Sequence, residues 1–309
     1  MMKKRTFQQV DVFTHTAFLG NPLAVVIEGE GLSDAQMQAF AAWTQLSETS
    51  FLLPPTPEGA AGGADYRVRI FTPEAELPFA GHPTLGSAHV WLAAGGQARQ
   101  NGQLVQECGV GLVRLKHMVG RWAFAAPALQ RQDVAPDHLS AVLAALGLPD
   151  SAVLAAQHLN NGPHWLGLLV DDVDTVLALE PDHAALKKLG AKVGLAARKA
   201  PSHGGLIRRA NREARAFANS ASPLAQDDTD LEVRAFAAPV GITEDPVTGS
   251  LNASLAQWLM AEGHMPTTYS ARQGTVLGRA GQVFLSQDAL GQVWVAGDVV
   301  VCIEGFVSL

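Results

Sequence analysis

Two cysteines in 309 residues, Cys108 and Cys302, are far too few for a disulfide framework. No apolar run approaches 18 residues free of charge, so no membrane span is expected. The lysines and arginines never gather into a long basic run, and a formal net charge of −7 argues against a nucleic-acid partner. The basic start over 1–9 has no apolar segment behind it, so no signal peptide is expected and a cytoplasmic protein is the reading. The familiar catalytic phrases are missing too: there is no phosphate-binding P-loop, no dinucleotide fingerprint after a strand and no nucleophile elbow. The ten histidines show none of the helical zinc spacings, and His82 and His89, seven apart on one helical face, lie too far along the axis to chelate one ion. Carboxylate and imidazole chemistry is left, with no metal and no cofactor.

What is present is a phrase written twice. Arg69-Ile70-Phe71 leads into His82-Pro83-Thr84-Leu85-Gly86-Ser87, and Arg234-Ala235-Phe236 leads into Asp245-Pro246-Val247-Thr248-Gly249-Ser250. Each copy reads R-x-F, a short spacer, then His or Asp followed by P-x-x-G-S ahead of an Ala- and Leu-rich stretch. The copies stand about half a chain apart, too far for a solenoid repeat. They read as two related domains of ordinary size, each able to bury a core, and 48% hydrophobic against 17% charged residues suits a globular chain.

Each phrase predicts a strand-to-helix turn. In the second, Asp245 suits a helix N-cap, Pro246 the first helical position, and Gly249 and Ser250 the first turn. His82, with Gly81 before it and Gly86 after it, repeats the arrangement with a titratable ring at the cap. Helix N-termini have N–H groups without partners and partial positive charge, so two of them converging on one cleft would suit a small carboxylate. Capping alone also explains both residues, and the glycines could simply ease tight turns.

Around these phrases the pattern predicts a first hairpin about Gly20-Asn21-Pro22, a helix from the capping box at Ser33 to about 45, a strand over 47–53 and another over 67–71. A helix over 83–94 and short strands within 103–126 complete the half. The second half repeats the order: a hairpin about Asn160-Asn161-Gly162-Pro163, a short helix over 181–189, a strand over 231–236 and a helix over 246–262. The boundary falls in 127–140, with an extra helix over 137–147. By analogy with other two-domain α+β proteins the last strands are expected to return to the first domain, which then comprises 1–128 plus about 296–309, against 129–295 for the second.

Glu48 is a lone carboxylate in Leu46-Ser47-Glu48-Thr49-Ser50-Phe51-Leu52-Leu53. Strand alternation puts Leu46, Glu48 and Ser50 on one face, and apolar surroundings would raise its pKa toward the range of a general acid/base. A solvent-facing Glu on an edge strand is the commoner fate of the residue type.

These residues resemble the PhzF-like family, the phenazine-biosynthesis isomerases and their relatives on the diaminopimelate-epimerase-like fold. The likeness runs through Val10-Asp11-Val12-Phe13-Thr14, Gly20-Asn21-Pro22-Leu23-Ala24-Val25-Val26, the segment about Glu48, Phe79-Ala80-Gly81-His82-Pro83-Thr84 and Glu244-Asp245-Pro246-Val247-Thr248-Gly249-Ser250. The resemblance implies an α+β protein of two similar domains, each an antiparallel β-barrel-like sheet around a central helix, with the active site between them. It implies Glu48 as the acid/base, His82 and Asp245 as its catalytic partners, Gly81, Gly249 and Ser250 as substrate contacts, and a homodimer. Epimerases and racemases of this fold place paired cysteines at the two helix starts; Cys108 and Cys302 lie elsewhere. The expectation is a cofactor-independent isomerase of a small carboxylic acid, with trans-2,3-dihydro-3-hydroxyanthranilate as one candidate. An amino- or hydroxy-acid epimerase using Glu48 and Asp245 as opposed bases, and an inactive binding protein, are the alternatives. Specificity would lie in loops such as 54–64 and 197–230.

Overall fold

The computed structural model describes residues 3–199 and 229–309. Nearly all of the 197–230 loop therefore lies outside the described residues, while the 54–64 loop contains a short helix, Pro57–Ala61.

The chain is α+β, built as two similar halves that each curve a sheet around one buried helix. In the first half Lys4–Val12 pairs antiparallel with Asn21–Val26, which lies parallel to Thr49–Leu53. Thr49–Leu53 pairs antiparallel with Tyr66–Phe71. Gly81–Ala93 runs through the middle, buried on nearly every side from Gly81 to Ala88. Such a helix has no polar face to offer water, and its composition shows it. The second half repeats the plan with Val153–Asn160, His164–Val170, Val193–Arg198 and Leu231–Phe236 around the equally buried Gly249–Ala261. The sheet is mixed and not purely antiparallel: among the described residues four strand pairs are parallel, because helices carry the chain back between those strands. The two halves join where Arg121–Ala125 pairs with Val293–Gly297, and the final strand, Val299–Ser308, pairs with Lys4–Val12.

The R-x-F phrases are structural clamps. Arg69 grips Glu76 with two bonds of 2.7 and 2.6 Å and lies over Phe71; Arg234 grips Glu244 with bonds of 2.9 and 2.8 Å and lies over Phe236. Planar guanidinium and carboxylate match as a fork, which fixes each strand against the segment that follows it. From each clamped glutamate the chain then reads alike: Glu76-Leu77-Pro78-Phe79-Ala80-Gly81 and Glu244-Asp245-Pro246-Val247-Thr248-Gly249. Gly81 and Gly249 each open a central helix.

This register corrects the one drawn from the two hexads, which is five residues out of step. His82 corresponds to Ser250, and Asp245 to Leu77. Neither His82 nor Asp245 is a cap: the N-cap residues are Ala80 and Thr248, and neither makes a side-chain capping bond. The second helix starts at Gly249, not at Pro246, because Gln273 holds 245–248 outside the helix. Its Nε2 donates to the Asp245 carbonyl at 2.9 Å, and its Oε1 accepts from the Thr248 N–H at 3.0 Å. Gly86 likewise serves neither turn nor ligand; a Cβ there would come within 2.5 Å of Leu23 and 3.0 Å of Val12, so its role is close helix–sheet packing.

Candidate active site

The two central helices meet at their first residues. A Cβ on Gly249 would lie 3.0 Å from the Gly81 Cα and 3.2 Å from the His82 nitrogen, and one on Gly81 would lie 3.1 Å from the Gly249 Cα. Only glycine at both positions lets the two backbones touch. The first intrahelical amide bonds are those of Thr84 and Asn252. The N–H groups of Gly81, His82, Gly249 and Ser250 are thus left for an acceptor in the cleft.

Glu48 stands just ahead of the strand Thr49–Leu53, on the face toward the first central helix. Of its neighbours on the strand, Phe51 packs outward under the helix Asp34–Thr44 while Leu52 joins the inner core. The strand is covered on both sides, so Glu48 is not a solvent-facing edge residue: its side chain is 15% exposed. Oε2 has no hydrogen-bond partner and lies 3.4 Å from Nε2 of His82, itself 5% exposed. Burial, and then the negative charge of Asp245, push the Glu48 carboxyl up to about 8.

His82 is the second residue of its helix. Burial drives its imidazole down to about 3, against a hydrogen bond to the Pro22 carbonyl that favours the charged form. Nε2 has no hydrogen-bond partner, so the ring proton faces Pro22 from Nδ1 and the Nε2 lone pair faces Glu48. At neutral pH a protonated carboxyl thus stands beside a neutral imidazole acceptor.

Asp245 is held differently. Oδ1 accepts from Asn21 Nδ2 at 3.0 Å and Oδ2 from the Thr248 hydroxyl at 2.6 Å. Burial raises its pKa, and these two donors work against the rise. Two carboxylates in one cleft repel, so the one with donors ionises first and the one without keeps its proton. Ser250 is buried at the second position of its helix, and its carbonyl accepts from Asn161 Nδ2 at 3.0 Å.

Asn21 and Asn161 entered the sequence reading as turn residues, Asn21 also within the family likeness, and neither as a site residue. Both are buried, and each offers its amide to the second helix start or the segment before it; Asn21 also donates to the Val247 carbonyl at 2.8 Å. Among the described residues their amide nitrogens are bonded and their amide oxygens have no partner, and two Asn-containing turns at matching places in the halves were the available signal. Gln273 gave none, since it lies in an ordinary strand, Thr268–Gln273. Neither N-cap position holds a thiol, and Cys108 and Cys302 bond to carbonyls elsewhere. Among the described residues no group of His, Cys, Asp and Glu side chains is arranged to hold a metal ion. A groove of about 670 Å³, lined by Arg5, Leu52, Tyr66 and Trp91 among others, contains none of the site residues.

Residues 10–305 match the family model described as phenazine biosynthesis-like protein. The chain belongs to that family. It is 32% identical to a Schizosaccharomyces pombe protein called antisense-enhancing sequence 1, with 98% of this chain and 99% of that protein covered. It is 30% identical to the trans-2,3-dihydro-3-hydroxyanthranilate isomerase of Pseudomonas aeruginosa, covering 92% of this chain and 90% of that one. The crystal structure of a Bacillus anthracis PhzF-family phenazine biosynthesis protein superposes with a TM-score of 0.79 at 21% identity, covering 99% of both chains. The chain is an isomerase of the PhzF-like family. No helix among the described residues is long and apolar enough to cross a membrane.

Proposed function

We propose that this isomerase moves a proton between two carbons of a small carboxylic acid without a cofactor, with Glu48 as the single acid/base. The observation that carries the reading is Glu48 itself: a nearly buried carboxyl with an unpartnered oxygen beside the neutral imidazole of His82. In its ionised form Glu48 takes the proton from one carbon, and the electron pair left behind forms a new double bond as the old one shifts. Glu48 then returns the proton to the carbon at the far end of the three-atom system. A base with a pKa near the working pH serves both halves of this cycle. The substrate carboxylate sits on the N–H groups of Gly81, Gly249 and Ser250, and Asp245 with His82 orients its amine or hydroxyl.

The two-base epimerase alternative asks Asp245 to act as the second base. Both of its oxygens already accept hydrogen bonds, from Asn21 and Thr248, which suits binding better than proton abstraction. The substrate named by the Pseudomonas aeruginosa relative, trans-2,3-dihydro-3-hydroxyanthranilate, is the first to try. The proposed domain division, 1–128 plus about 296–309 against 129–295, is supported by the pairing of Val299–Ser308 with Lys4–Val12. A cytoplasmic homodimer is the setting that the family resemblance supports, and light scattering reads the assembly.

The test is proton NMR in D₂O with that substrate, comparing wild type with Glu48→Gln. Deuterium entry or double-bond migration that vanishes in the variant is the expected result. Equal exchange in both proteins sinks the assignment of Glu48.

A further inference from the structure

Glu48 has a counterpart in the second half. Thr49 pairs with Ala24 in the parallel sense and with Phe71 in the antiparallel sense; Val193 pairs with Leu166 and Phe236 in the same two senses. The Arg–Glu clamps make Phe71 and Phe236 equivalent, so Thr49 matches Val193 and the residue before it, Glu48, matches Lys192. The inner face agrees. Val193, Leu195 and Ala197 belong to the outer core of the second half, and Ala196 to the inner one. A Cβ on Gly194 would strike Leu251, in the first turn of Gly249–Ala261, at 2.3 Å. Lys192 precedes Gly194 by two residues on that face, about 6–7 Å along the strand.

The ammonium of Lys192 is half-buried. Its Nζ lies 5.3 Å from the centroid of the Trp165 ring, and it makes no ion pair or hydrogen bond among the described residues. An ammonium taken partly out of water needs an anion or a dipole for compensation, and an aromatic face supplies only part of it. Burial accordingly lowers its pKa.

We propose that Lys192 is a substrate-binding residue, its ammonium receiving the substrate carboxylate together with the N–H groups of Gly249 and Ser250, on the side of the cleft opposite Glu48. The assignment rests on reading the cleft as a site for a small carboxylic acid. It gives the two halves complementary tasks at one structural position: an acid/base in the first and an anion receptor in the second.

Calorimetric titration of anthranilate and of aniline, which lacks the carboxylate, into wild type, Lys192→Met and Lys192→Arg tests this. Wild type should prefer anthranilate by about tenfold or more, as a charge-assisted contact implies. Lys192→Met should lose that preference with aniline binding unchanged, and Lys192→Arg should keep most of it. Lys192→Gln makes the same comparison if the Met variant is insoluble. Wild-type anthranilate affinity in Lys192→Met or Lys192→Gln, or a wild type that does not favour anthranilate, overturns the proposal. Calorimetry needs no turnover, so the two assignments fail separately. Proton exchange that survives Glu48→Gln refutes the acid/base reading alone, and an intact carboxylate preference without Lys192 refutes this one alone.

Discussion

Glu48→Gln keeps the size of the side chain and removes its charge, and the pH dependence of stability should reveal what the fold spends on that charge. The carboxyl is raised from an ordinary 4.5 to about 8, chiefly by burial. Between those pH values the folded chain holds a proton that the unfolded chain has released, so wild type loses stability as pH rises through the window. At about 1.4 kcal/mol per pH unit the whole window corresponds to about 5 kcal/mol. The 15% exposure of the side chain and local relaxation reduce the expected effect, to about 2–4 kcal/mol. His82 works in the opposite direction: with its pKa lowered from 6.5 to about 3, the fold gains stability as pH rises across that interval. In wild type the two slopes cancel between 4.5 and 6.5. In Glu48→Gln only the His82 slope remains, so the variant should keep gaining until pH 6.5 and then level off. Urea unfolding at pH 4, 6 and 8 measures this, with the variant rising relative to wild type by about 2–4 kcal/mol over the series. Burial of the Gln amide adds an offset that does not change with pH. A difference between the two proteins that stays constant from pH 4 to 8 would falsify the claim that this carboxyl is held protonated.

Gly249→Ala should separate the two helix starts, because its Cβ would meet backbone atoms of Gly81 and His82 at 3.0–3.2 Å. A loss of about 1–3 kcal/mol in chemical denaturation is expected, and an unchanged midpoint would refute the contact. The two clamps should differ in worth although their geometry is alike. Arg234 and Glu244 are 4% and 8% exposed, whereas Glu76 is 42% exposed and Asp34, the other partner of Arg69, 83%. Arg234→Met should cost about 3–5 kcal/mol by stranding a buried carboxylate, and Arg69→Met about 1 kcal/mol or less. Equal losses in thermal or urea unfolding would contradict that ranking.

Most of the element order was legible because it rests on local signals. The capping box at Ser33 is formed as its letters imply, with Gln36 reaching back to the Ser33 N–H. The helix read over 137–147 is Pro136–Leu146. The strand read over 47–53, with Glu48 inside it, begins only at Thr49, since residues 46–48 leave a left-handed C-cap at Gln45 and are not yet paired. Less was legible where distant residues decide. Gln273 moves a helix start by three residues, and Asn21 reaches a carboxylate 224 positions away. No local pattern encodes either.

The misread register has the larger consequence for mechanism. Matching the hexads by their letters made His82 and Asp245 symmetric partners, as in a two-base enzyme whose halves do the same task on opposite faces of one carbon. The Arg–Glu clamps and the touching glycines instead pair His82 with Ser250, Leu77 with Asp245 and Glu48 with Lys192. At none of these positions do the halves carry the same chemistry. The backbone is duplicated and the side chains have diverged, so the cleft offers one unpartnered carboxyl, one neutral imidazole and the unbonded N–H groups of two helix starts. Inversion at a single carbon needs matched bases on both faces. Transfer of a proton between two carbons on one face needs one base and a firm hold on the rest of the molecule, and the asymmetric cleft suits the second task.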